Sequence, residues 1–127
     1  MRITLSAIHV ETSDSLWVDF DSAFGEGCGR WLGAPPQVAQ VHEVELTLEE
    51  EFRWDHNLWA ATRDAPHIQR DRQGLLLTGE LLRREEDVVA LAIGPTVVLL
   101  SLQDAPAQLP GFVSLVAREV SLYPVAL

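Results

Sequence analysis

Four histidines, one cysteine, a glycine-rich segment and a string of carboxylates are the groups in this 127-residue chain that could do chemistry. His9, His42, His56 and His67 show no HExxH or other metal-ligand spacing, so no metal site is expected. His56 and His67 bracket a segment that also holds Asp55 and Asp64. A His–Asp dyad there has no GxSxG-type nucleophile to serve. Cys28 stands two residues from Arg30 among glycines, where a guanidinium would lower a thiol pKa. No general base is located beside it.

The run Gly25-Glu26-Gly27-Cys28-Gly29-Arg30 invites comparison with a phosphate-cradling loop. Such a loop needs a helix N-terminus behind it. The residues that follow, Trp31-Leu32-Gly33-Ala34-Pro35-Pro36, cannot start one, and Glu26 repels phosphate. A flexible loop is the expectation. A calcium loop beginning at Asp19 and Asp21 fails as well: Ala23 and Phe24 take its fifth and sixth positions and Arg30 its twelfth, where an oxygen ligand, glycine and glutamate belong. Glu49, Glu50 and Glu51 are consecutive and cannot share one strand face, so they form no acid–base pair. The sequence thus predicts no catalytic residue, no cofactor and a non-enzymatic chain.

What remains is recognition. Val41 to Leu48 alternates strictly, with His42, Val44, Leu46 and Leu48 on one face and Glu43, Glu45 and Thr47, continued by Glu49, on the other. This is a half-buried strand with an acidic outer side. It leads into Phe52, Trp54 and Trp59, while Trp17 shares the polar side of its own strand with Asp19 and Asp21. Tryptophan among carboxylates suits a basic protein surface, through cation–π contacts and charge pairing. Glu43, Glu45, Glu49, Asp19, Asp21, Trp17, Trp54 and Trp59 are therefore the expected binding residues, and an inhibitor of the antitoxin or immunity type is one concrete form. The alternative is a small-molecule pocket lined by Trp54, Trp59, His56 and His67.

The charge balance agrees. Nine basic residues, all arginine, face nineteen acids, for a net charge of −10. Residues 1–51 contribute −8 of this, from ten acids and two arginines. A chain this acidic lacks the electrostatic footprint of nucleic-acid or anionic-membrane binding. One cysteine excludes an internal disulfide framework and fits a reducing, cytoplasmic setting. The N-terminal residues break their apolar run at Thr4, Ser6 and His9, unlike a signal peptide.

The elements that must position these groups read as strands. Residues 2–21 predict a hairpin, with Ile3 and Leu5 inward, a phase slip at Ala7-Ile8 that hands the apolar face to Ile8 and Val10, and a turn at Thr12–Ser15. Residues 22–36 predict a long loop, and 55–72 an irregular region with one helical turn near 58–61. Leu75–Leu82, then Val88–Ile93 and Val97–Leu102 about a Gly94-Pro95 turn, then Phe112–Tyr123, complete about seven strands in one all-β domain with little helix. Small all-β chains hide their edges in a barrel or a sandwich, and an edge left unpaired would make a homodimer. From Val41 onward the layout resembles the five-stranded Greek-key barrel of the OB kind, with a two-residue turn in place of its helix.

Overall fold

The computed structural model describes residues 1–12 and 15–125, which hold twelve strands and no helix. They are β1 (Arg2–Thr12), β2 (Ser15–Ser22), β3 (Gly25–Trp31), β4 (Val41–Leu48), β5 (Glu51–Arg53), β6 (Leu58–Ala60), β7 (His67–Asp71), β8 (Gly74–Glu85), β9 (Val88–Ile93), β10 (Thr96–Gln103), β11 (Phe112–Ala117) and β12 (Val120–Pro124). The all-β class and the barrel are as the alternation predicts, although the strands number twelve rather than about seven. The expected turn at Thr12–Ser15 has its middle, residues 13 and 14, outside the described residues.

A five-stranded barrel is present, but its composition differs from the expectation. It closes in the order β1-β2-β3-β12-β4, with β4 returning to β1. Of the segment from Val41 onward it takes only β4 and β12. The N-terminal hairpin is part of its wall, and β3 pairs with β12 in parallel. Strands β5 to β11 form a second sheet, in the order β5-β10-β9-β8-β11-β6, with β7 also paired to β8. A bridge between Trp54 and Leu58 brings its two ends together. Apolar periodicity marks where strands lie, but it does not say which strand each one pairs with.

Three local expectations change. The glycine-rich segment is strand β3, not a loop, because its glycines are where neighbours press in. A Cβ on Gly27 would come 2.5 Å from the Phe20 ring, and one on Gly29 would come 2.9 Å from the Val120 carbonyl oxygen. Glycine inside a strand marks such an approach. Residues 58–60 are strand β6 rather than a helical turn, held by pairing to β11, and β7 occupies the end of the supposed irregular region. Phe112–Tyr123 is two strands in two different sheets, broken at Arg118-Glu119.

The slip at Ala7 is real, as a register shift between Leu5 and Ala7. Beyond it Ile8 packs against the core, whereas Val10 is exposed.

One continuous core fills both sheets. Ile3, Leu5, Val18, Phe20, Trp31, Val44, Leu46, Leu48, Val120 and Leu122 fill the barrel. Phe52, Leu58, Ile68, Leu75, Leu77, Leu91, Ile93, Val113 and Leu115 fill the second sheet. The two meet at the β2–β3 turn, where the Ile68 N–H donates to the Phe24 carbonyl at 2.9 Å. They also meet at their crossing points. The chain leaves the barrel at Glu49-Glu50 and returns at Arg118-Glu119, and the Glu50 carboxylate accepts the backbone N–H groups of both returning residues, at 2.5 and 3.3 Å.

Candidate functional site

In the second sheet the inward residues of β8 and β11 are Leu75, Leu77, Val113 and Leu115. The alternate residues point outward. Register then aligns a row across four strands: Trp59 of β6 opposite Ser114 of β11, Ser114 opposite Thr78 of β8, and Thr78 opposite His67 of β7. With loop residues Thr62 and Arg63, and with Gln69 and Leu76, the row lines a cleft of about 440 Å³. That volume is in the range of small-molecule sites.

Its floor is polar and nearly buried. Thr78 and Ser114 are only 5% and 8% exposed, and their hydroxyls share a hydrogen bond of 2.7 Å. One proton of the pair is used between them, so the pair still has a hydrogen and lone pairs to offer a ligand. His67 Nε2 lies 3.1 Å from Gln69 Oε1. Trp59, half-buried, is one wall of this cleft and also of a second, about 660 Å³, lined by Glu50, His56, Asn57, Asp71, Arg72 and Arg118 among others.

The expected binding residues are dispersed. Glu43 pairs with the N-terminal amino group at 3.6 Å and with Arg2 Nε at 3.2 Å. Asp19 accepts from His9 Nε2 at 2.9 Å and has an Arg70 nitrogen at 3.4 Å. Asp21 is exposed and directly opposite exposed Glu26. Glu45 is exposed beside Tyr123 on β12. Glu49 and Trp17 border a small recess, and the Arg30 guanidinium sits 5.8 Å from the Trp17 ring centroid. Trp54 packs against the core at the turn that brings β5 to β6. Of the alternative quartet, Trp59 lines both clefts, His67 the first and His56 the second, while Trp54 lines neither.

His42, on the inward side as expected, sits edge-on to Trp31 with ring centroids 4.9 Å apart. Cys28 reverses an expectation. Burial raises its thiol pKa, and the Arg70 guanidinium offsets part of that rise while Asp19 adds a smaller increase. Arg30 is not the residue that reaches it.

Sequence reasoning missed Thr78, Ser114 and Arg63. A signal was there for the first two, each a hydroxyl embedded in an apolar strand, LLLTG and FVSLV. Buried hydroxyls need partners, and two such strands with one hydroxyl each suggest each other. Arg63 carries no such mark. No protein-family model, curated protein or solved structure matches the chain.

Proposed function

We propose that the chain is a non-enzymatic binding domain whose Trp59 cleft takes a small molecule with one flat face and hydrogen-bonding edges. The observation that carries this is the four-strand row. It sets an indole wall, a buried hydroxyl pair and an imidazole side by side on rigid strands, beside the loop that carries Thr62 and Arg63. Hydrogen-bonding groups on sheet strands are held in place before a ligand arrives, which lowers the ordering cost of binding. The Ser114 hydroxyl is engaged with Thr78 and His67 with Gln69, an arrangement suited to holding rather than to nucleophilic attack. A thermal-shift panel of nucleosides, sugars and aromatic metabolites tests it, since a binder raises the melting temperature by mass action. A ligand whose effect survives Trp59→Ala binds elsewhere and ends this reading.

A second reading, a basic protein partner bound in the manner of an antitoxin or immunity protein, is favoured by a different observation. Asp21 and Glu26 are direct cross-strand neighbours, both exposed, with no ion-pair partner among the described residues. Like charges in that relation destabilise a sheet, and a cationic surface would relieve them. Glu45 and Glu49 add exposed charge on β4. Association with such a partner is fast and falls steeply with salt. An on-rate indifferent to ionic strength, or to Asp21→Arg with Glu26→Arg, rules this reading out.

A further inference from the structure

The arginines of this chain have ample carboxylate to pair with, nineteen acids against nine. Four of them do so: Arg2 with Glu43, Arg53 with Asp104, Arg70 with Asp19 and Arg83 with Glu85. Arg84 donates to the carbonyls of Glu86 and Pro106, and Arg30 covers Trp17. The other three, Arg63, Arg72 and Arg118, have no side-chain partner among the described residues. All three line the two clefts that meet at Trp59.

The two carboxylates in the cleft walls do not fill these guanidinium forks. Glu50 is turned to the backbone N–H groups of Arg118 and Glu119, and Asp71 accepts the backbone N–H of Arg72 at 2.6 Å. The first cleft has no carboxylate in its wall at all. Around Trp59, therefore, three cations face two acids in a molecule whose net charge is −10. A guanidinium is planar, always charged and matched to the paired oxygens of a carboxylate or phosphate.

From this we infer that the ligand of the Trp59 cleft is an anionic ring compound. Its flat ring lies against the indole, its edge meets the Ser114–Thr78 hydroxyls, and its phosphate or carboxylate is bound by the unpaired arginines. The inference rests on the cleft reading above and adds the charge of the ligand to it. It also accounts for a recognition site of this sign on so acidic a protein. The surplus carboxylate elsewhere repels unspecific anions, and the local arginines accept one that also has a ring to stack.

The test uses matched probes that differ in charge: adenosine against adenosine 5′-monophosphate, indole-3-acetamide against indole-3-acetate, and inorganic phosphate alone. Binding is followed by thermal shift and tryptophan fluorescence. The anionic member of at least one pair should bind ten-fold or more tightly than its neutral counterpart, and the pair that shows this separates a phosphate from a carboxylate ligand. Arg63→Gln or Arg118→Gln should remove that advantage and leave the neutral compound within two-fold. Equal affinity within both pairs overturns the anionic inference and leaves the cleft reading standing. No binding by any probe, or binding that Trp59→Ala does not weaken, overturns both. A shift produced by inorganic phosphate and indifferent to Trp59→Ala overturns the ring component.

Discussion

Burial decides the behaviour of single side chains here more than sequence neighbours do. Cys28 looks activated when read beside Arg30, yet its thiol is held protonated by desolvation. A thiol whose folded pKa is raised keeps its full contribution to stability below the ordinary thiol pKa. It loses that contribution as pH rises from there towards the folded value. Stability should therefore fall on the alkaline side, Cys28→Ala should flatten that fall in urea melts taken from pH 7 to pH 10, and Cys28 should alkylate more slowly than glutathione at pH 8. An alkylation rate at or above that of the free thiol would contradict the burial account. The Thr78–Ser114 pair gives a second prediction. Ser114→Ala leaves a buried hydroxyl without its partner and should cost about 1–3 kcal/mol. Adding Thr78→Val removes the orphan, so the double variant should be less destabilised than the sum of the singles, as a double-mutant cycle measures. At this scale the sequence was legible where one residue's neighbours along the chain are also its neighbours in space, as with His42 facing inward. It was silent on Arg63, Arg72 and Arg118, because an unpaired charge is a property of the folded surface.

Strands driven by apolar alternation were readable, and strands driven by close backbone approach were not. β4, β9 and β10 follow their patterns nearly to the residue, and the Gly94-Pro95 hairpin is where the sequence puts it. β3 was hidden because Gly25, Gly27 and Gly29 look like loop residues, and nothing local tells that Phe20 and Val120 occupy the missing side-chain volume. β6 and β7 are short and owe their conformation to β11 and β8, so no window of their own sequence contains the cause. Gly25 offers the sharpest test at this scale. It has φ +135°, and a Cβ there would lie 1.9 Å from the Ile68 carbonyl oxygen. Gly25→Ala must therefore both strain its own backbone and push the barrel off β7. A loss of about 2–4 kcal/mol is expected in chemical denaturation. A loss below about 1 kcal/mol would mean the β2–β3 turn is not a fixed joint.

The whole molecule is a barrel with a second sheet inserted between two of its strands, β4 and β12, and that topology is the part the sequence concealed most. The apolar runs predicted a barrel or a sandwich, but pairing strands far apart in the chain is set by the fit of one assembled surface to another. β12 is the clearest case. It lies between β3 and β4, parallel to one and antiparallel to the other, and without it the barrel has two open edges. A chain ending at Ala117 should accordingly lose the cooperative melt of the entire protein rather than of one sheet, since the core is continuous. A truncated chain that retains a sharp transition with native second-sheet circular dichroism would show the sheets to be separable. The order of strands also has a consequence in time. Residues 49–119 lie between β4 and the strand that completes its sheet, and a ribosome adding about 5–20 residues per second takes roughly four to fourteen seconds to supply them. Throughout that interval the nascent β3 and β4 present unpaired edges, in a chain whose first fifty-one residues carry a charge of −8. Like charge on two such chains opposes the close approach of those edges until β12 emerges.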